Sequence, residues 1–529
     1  MFDILIRGGM VADGTGAAVY PADIAVQEGK IAAIGELKEV SAQKTIEARG
    51  KVVTPGFIDI HRHGDVAVFA PDFGKLELCQ GLTTIVNGNC GLSAAPFGEK
   101  NGDAIGRYLA PITGPLGEKI PTRSLAEYYE ALNHLPLHVG MLAGAGVIRA
   151  DVAGYGKERL DASEEKSIQR KIERALSDGA LGISLGLGYA PECFYTTEEL
   201  IRTLAPLQNS PVPLTVHMRQ EGGGVVESVE EMITVAKRLN CPVHISHLKA
   251  MGRENWKRKI PRALQSMQRA REEGVKVDCD VYPYTAGSTQ LLHILPPEFL
   301  VGGIDAVTER LKSGQARREL EQRIKTGEGF DNIAALAGWD GIFLSELHLP
   351  EHRQYLGKSI AEIAQERGQS PLDTCCDLLV RERGQITMID FMAAEEDIVT
   401  ILQSPLSHVI SDSTYPTQGR RHPRVYGTFA RMIQHFVMEK RVLTLEDAVQ
   451  KMTQKPARVL HLSGKGEIAV GMDGDLCVFD PANVQEKGTY TDPAQCAMGM
   501  DAVLVGGRIA LENGEMTEER SGKAVKNHA

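Results

Sequence analysis

Hydrophobic and polar positions alternate in short bursts over the first fifty residues. Segments 3–7, 24–26 and 30–34 read as strands, broken by the turn signals Gly8-Gly9, Asp13-Gly14 and Glu28-Gly29. The same texture returns near the other end. There 466–470, 476–479 and 502–505 are strand-like, with Asp473-Gly474 between them and Gly506-Gly507 after them. Two such sets at opposite ends of a chain predict one small β domain, because termini often lie close together.

Between them the pattern changes to strands alternating with helices. Strand-like runs occupy 56–63, 83–90, 138–144, 180–186, 214–219, 243–248, 275–282 and 407–411. Helical spacing appears over 163–178, with Ile168, Ile172 and Leu176 on one face. It recurs over 224–240, with Val225, Val229, Met232 and Ala236. Thr196 followed by Glu199 forms a capping-box signature that opens another helix. Eight strands in β-α alternation predict an α/β fold, a TIM-like (β/α)8 barrel. A doubly wound sheet is the competing fold, but no Gly-rich dinucleotide fingerprint follows a first strand. About 120 residues separate the seventh run from the eighth, several times an ordinary connection. The expected organisation is therefore a β-sandwich domain from 1–54 and 464–529, a barrel from 55–287 and 350–463, and an inserted subdomain at 288–349. Helices at 359–366 and 371–383 follow the insertion.

Composition narrows the functional classes. The 529 residues are 43% hydrophobic and 24% charged, which is ordinary for a globular protein. The net charge of −11, without a long Lys/Arg cluster, weighs against nucleic acid or an anionic membrane as partner. No apolar stretch is long enough to span a bilayer, and the start MFDILIRGGMVADG carries Asp3 and Arg7 where a signal peptide would need an apolar core. Nine scattered cysteines do not form a disulfide framework. The expectation is a soluble, cytoplasmic protein whose cysteines act singly.

The densest chemistry is GFIDIHRH at 56–63. His61 and His63 lie two apart on a strand, so both imidazoles share a face, and at the C-terminal end of a barrel strand that face opens on the mouth. Two imidazoles there suit a borderline metal such as Zn²⁺. Cys90, His217, His247 and Asp412 each close another strand-like run, so a closed barrel would gather all six at one rim. Other motifs read as structural. Ser184 sits in a G-x-S-x-G run, but a loop follows it where a nucleophile elbow needs a helix. Gly222 to Gly224 reads as a flexible loop carrying Glu221, Cys375-Cys376 as helix core, and His244, of opposite parity to His247, as a structural histidine.

These residues carry a resemblance. The chain resembles the amidohydrolase superfamily and, within it, the N-acyl-D-amino-acid deacylases or D-aminoacylases. The likeness runs nearly end to end, through GFIDIHRH, NCG at 89–91, VHMRQEG at 216–222 and HISHLKAMG at 244–252. It continues in DVYPYTAGST at 280–289, SDS at 411–413 and HPRVYGTF at 422–429. The resemblance implies that Cys90 takes the place of the bridging carboxylated lysine of related enzymes. Cys90, His217 and His247 then match the ligands of one tightly held zinc, and His61, His63 and Asp412 frame a second, weaker metal position. Lys249, Tyr189, Tyr282 or Tyr284, and Arg424 lie at motifs that grip the α-carboxylate of a small-molecule N-acyl-D-amino acid, and Arg424 can do so bidentately. Asp412 is the implied general base and acid in hydrolysis of the amide. Three positions depart from the pattern. Arg62, between the two histidines, is expected to make a salt bridge. Ala145 stands where many relatives have a histidine that would face the site. Arg420 and Arg421 read as exposed loop residues. Two rival functions remain, a cyclic amidohydrolase of the hydantoinase or dihydroorotase type and a non-catalytic assembly protein on the same fold. The sequence leaves the oligomeric state open.

Overall fold

In the computed structural model, which describes residues 1–527 apart from 99, 119 and 328, the turn-rich segments from the two ends of the chain meet in one nine-stranded sheet. Phe2–Val11 is its hub. It pairs antiparallel with Tyr20–Gln27, parallel with Ala42–Glu47 along its first half, and parallel with Val52–Pro55 through Met10 and Val11. The switch of partners falls at the bulge around Gly8-Gly9, where Gly8 has φ +73°. Val52–Pro55 then pairs antiparallel with Leu476–Phe479, and the sheet continues into Met500–Val505 and Arg508–Glu512. Ile6, Ile24, Val53, Leu476 and Leu504 form the dry centre of this domain. The expected strand at 466–470 is irregular, because the left-handed glycines Gly466 and Gly471 bound it.

All eight expected barrel strands form, each shorter than its hydrophobic run. Phe57–Asp59, Leu82–Asn87 and His138–Met141 run parallel in one sheet. The third run continues as Ala143–Gly144 into a second sheet with Ile183–Gly186, Leu214–His217, Val243–Ile245, Val277–Val281 and Ser407–Val409. Backbone bonds from His63 to Ser413 and from Asp412 to His61, both 2.9 Å, join the eighth strand to the first. The helices take the predicted faces. Ala162–Ser177 starts on an Asp161/Glu164 capping box and buries Ile168 and Ile172, while Val225–Leu239 buries Val225, Val229, Met232 and Ala236. Thr196 and Glu199 complete the predicted capping box before Thr197–Thr203. No described helix is long and apolar enough to cross a membrane.

The insertion is larger than expected. Its sheet is antiparallel, with Thr387–Phe391 between Ala286–Gln290 and Ile342–Glu346. Helices Ile360–Arg367 and Pro371–Arg381 pack with it through Ile363, Cys375, Cys376 and Leu379, in a core shared with Cys90, Leu109, Val147 and Tyr189 of the barrel side. The boundary expected at 349 therefore falls inside this body, which extends to Phe391, because its central strand returns from far along the chain. The tail also leaves its expected domain. Ala524–Val525 pairs parallel with barrel strand His138–Met141, and residues 528 and 529 of the expected β domain lie outside the described residues.

Arg62 is fully buried and anchors the first strand. Its guanidinium meets Asp59 at 3.1 Å and Glu77 at 2.7 Å and hydrogen-bonds the Tyr415 hydroxyl, while Asp59 also accepts the Ser411 N–H at 3.1 Å. The residue between the two histidines thus ties the first strand to the eighth. Replacing it strands two buried carboxylates, so Arg62→Met is expected to lower unfolding stability by about 3–5 kcal/mol in urea titrations. A loss below 1 kcal/mol would show that the network contributes little.

Candidate active site and metal centre

The ladders of Phe57–Asp59, Leu82–Asn87, Val243–Ile245 and Ser407–Val409 stop two to four residues short of their hydrophobic runs, and the residues beyond them turn inward at the barrel mouth. Cys90, His247 and Asp412 all have left-handed backbones, with φ of 55°, 36° and 50°. Such conformations are uncommon for side-chain-bearing residues and tend to cluster at functional sites. Ser184 helps to shape one of these turns. Its hydroxyl donates to the Gly88 carbonyl at 2.5 Å and accepts the Gly91 N–H at 3.1 Å, bracketing Cys90, so this serine is a structural tie.

The six expected ligands converge. Cys90 Sγ lies 3.3 Å from His61 Nε2 and 3.5 Å from His247 Nε2, and His217 Nδ1 lies 3.1 Å from His247 Nε2. Asp412 Oδ1 lies 3.4 Å from His61 Nε2 and 3.3 Å from His63 Nε2. Donors held by a tetrahedral ion at about 2.0–2.3 Å stand roughly 3.3–3.8 Å apart, so the spacing suits such an ion. Three overlapping groups result, Cys90 with His61 and His247, His61 with His63 and Asp412, and His217, expected beside Cys90, with Glu221 and His247. The electrostatics agree. Burial pushes the Cys90 thiol up, but His61, His217 and His247 outweigh it and hold the thiol well below its usual range. A thiolate enclosed by imidazoles is a donor set for zinc.

Charged residues support this cluster from behind. Glu221 lies 2.9 Å from His247 Nδ1 and pairs with Lys249 Nζ at 2.6 Å, and its loop is fixed by Asp331 of the insertion, which accepts the N–H groups of Glu221 and Gly222 at 2.6 and 3.0 Å. Arg424, fully buried at the start of helix Arg424–Arg431, meets Asp412 Oδ2 at 2.9 Å and lies 4.9 Å from the Tyr282 ring centre. Burial would raise Asp412, but Arg424, His63 and His61 hold it well below the usual carboxylate range.

His63, Cys90, His217, His247, Asp412 and Arg424 face a cavity that also exposes Tyr189, Lys249 and Tyr282, with apolar walls from Leu92, Ile112, Met251, Ile333 and Met392. Tyr189 hydroxyl pairs with Thr289 at 3.0 Å, and its ring lies against His217 and His293. The insertion supplies Gly287 to Thr289, His293, Ile333 and Asp390 to the wall. Tyr284 does not belong to it. Its hydroxyl donates to Glu486 at 2.6 Å, because the strand ends at Val281 and the turn through Pro283 breaks the two-residue alternation. Ala145 lies in the barrel core at the head of helix Ala145–Ala153. Arg420 is exposed and Arg421 packs over Tyr415. Sequence reasoning missed the roles of Glu221, His293 and Asp390. Glu221 stands four residues after His217 and could have been paired with it, whereas His293 and Asp390 lie in the insertion, where no strand register pointed at the mouth.

Comparison with known proteins places this geometry. A model described as "Amidohydrolase family" matches residues 388–511. The chain is 32% identical to the D-aminoacylase of Alcaligenes xylosoxydans xylosoxydans over 99% of its own length and 97% of the relative's. It is also 32% identical to the N-acyl-D-glutamate deacylase of that organism, over 96% and 93%. Among solved structures, the N-acyl-D-glutamate deacylase of Bordetella bronchiseptica, complexed with zinc and a phosphonate mimic of the tetrahedral intermediate, superposes with a TM-score of 0.83. Identity there is 32% over 99% of both chains. Removing the thiolate tests the centre directly. Cys90→Ala is expected to fold normally but to retain less than stoichiometric zinc after dialysis, measured by elemental analysis. Full retention would remove Cys90 from the ligand set.

Proposed function

The chain belongs to the N-acyl-D-amino-acid deacylase, or D-aminoacylase, family of amidohydrolases, and on that premise we propose how its residues hydrolyse the amide bond of an N-acyl-D-amino acid. The observation that carries the proposal is the shared cavity. Cys90, His217, His247 and Asp412 face the same space as two cationic side chains, Lys249 and Arg424. Cys90, His217 and His247 would hold a tightly bound zinc, and His61, His63 and Asp412 would frame a weaker position. When zinc is bound there it supplies Lewis acidity, polarising the amide carbonyl and making water more acidic.

The remaining work falls to the chain. Arg424 and Lys249 present fixed positive charge to the α-carboxylate, with the Tyr282 ring packed against both. Tyr189, hydrogen-bonded to Thr289, closes the opposite wall. Anchoring the carboxylate on one side and the amide near Cys90 and His217 on the other leaves one face of the α-carbon toward the apolar wall, which is how a D centre is selected. Asp412, ionised and within reach of His61 and His63, takes a proton at Oδ1 from the attacking water and returns it to the departing nitrogen. Arg424 is positioned to steady Asp412 and the substrate carboxylate together. A cyclic amidohydrolase would need a bridging lysine, and the lysine of this cavity is engaged by Glu221. The nine free cysteines suit a reducing compartment, the cytoplasm.

Paired assays of N-acetyl-D- and N-acetyl-L-amino acids, with and without added Zn²⁺, test the reading. Turnover of the D series alone, dependent on metal, is expected, and a preference for the L series would overturn the stereochemical assignment. Asp412→Asn is expected to keep its fold and to lower kcat by about 10²–10⁴-fold. Turnover near wild type would remove Asp412 from proton transfer.

A further inference from the structure

Behind the metal ligands, on the side away from the cavity, a second buried cluster crosses three adjacent barrel strands. Asp280, on Val277–Val281, accepts a hydrogen bond from His244 Nε2, on Val243–Ile245, at 2.7 Å. His244 in turn stacks on His408 of Ser407–Val409, with ring centres 4.6 Å apart and planes 21° from parallel. None of the three lines the cavity, and each is at most 2% exposed. The structural histidine expected at 244 is therefore the anchor of a carboxylate.

That carboxylate faces two of the metal-ligand candidates. Its Oδ1 accepts the backbone N–H of His247, and its Oδ2 lies 3.7 Å from His61 Nδ1, a fully buried ring nitrogen with no hydrogen-bond partner. The opposite ring nitrogen of His61, Nε2, points at Cys90 Sγ and Asp412 Oδ1. We infer that Asp280, held in place by His244, is a positioning residue that sets both metal positions at once. At 3.7 Å the carboxylate is beyond hydrogen-bond distance, but its negative charge favours the Nδ1–H form of His61, whose N–H faces it, and leaves the Nε2 lone pair for metal. By capping the His247 N–H it also holds the left-handed backbone that turns His247 toward Cys90. His61 belongs to the weaker position and His247 to the tighter one, so a single buried side chain couples the two. The inference rests on the metal-site reading above.

Two measurements on the full-length protein separate the two ideas. In the zinc-loaded wild type labelled with ¹⁵N in its histidine rings, and assigned with His61→Asn, His61 is expected to carry a slowly exchanging Nδ1 proton and a metal-shifted Nε2. The reverse tautomer would overturn the inference. Competition with a chromophoric chelator is expected to show zinc bound about 10–100-fold more weakly by Asp280→Asn than by wild type, with partial rescue in Asp280→Glu. Affinity equal to wild type in Asp280→Asn would refute positioning while leaving the metal site intact. A wild type that binds no zinc would sink the metal reading itself, and the inference with it. If Asp280→Asn does not fold, His244→Leu, which keeps the carboxylate but removes its anchor, must show the same direction of change.

Discussion

Burying negative charge is the constraint that organises this molecule. The barrel mouth collects Asp59, Glu221, Asp280 and Asp412, all inaccessible to solvent or nearly so. An isolated buried carboxylate is prohibitively costly, so each must bring a cationic or donating partner. The structure assigns them one by one, Arg62 to Asp59, Lys249 to Glu221, His244 to Asp280 and Arg424 to Asp412. Cys90, like Asp280, has imidazoles for partners. Imidazoles can exchange a proton for a metal, whereas a guanidinium or an ammonium fixed in an ion pair cannot serve as a ligand. Of the two anions that lack a permanent counter-charge, only Cys90 faces the cavity.

That logic explains why so much was legible in the sequence. His61, His63, Cys90, His217, His247 and Asp412 all close hydrophobic runs, and strand alternation followed by a barrel rim is enough to bring them together. The long motifs around them added the family. Legibility ended where alternation stopped. Tyr282 and Tyr284 share a parity, yet only the first reaches the cavity, because the strand ends before either. The insertion was visible only as a gap. Its central strand Thr387–Phe391 pairs with residues about a hundred positions earlier, and no local pattern names such a partner. His293 and Ile333 enter the wall by that route, so this side of the cavity was the least readable.

The backbone at three of the candidate ligand positions carries its own information. Cys90, His247 and Asp412 each sit in the left-handed region although none is glycine. Each turns the chain sharply off the end of its strand, where continuing the ladder would carry the side chain past the barrel axis. The surrounding hydrogen bonds, Ser184 around Cys90, Asp280 on His247 and the His61 carbonyl on the Asp412 N–H, are what make these turns tolerable. The shape of the centre therefore depends on the hydrogen bonds behind the candidate ligands as much as on those side chains themselves.

The β domain has a consequence for how the chain acquires its shape. Leu476 is opposite Pro55 and Phe479 opposite Val52, so one edge of the first-made strands finds its neighbour only after the whole barrel and insertion have been synthesised. Until then Val52–Pro55, which the finished fold buries on both faces, is an open template for pairing with another nascent chain. Contacts so distant in sequence also slow the final docking. Yield from overexpression should accordingly be governed by the lifetime of that unpaired edge, and slower translation or chaperone supply should matter more than the stability of the finished protein.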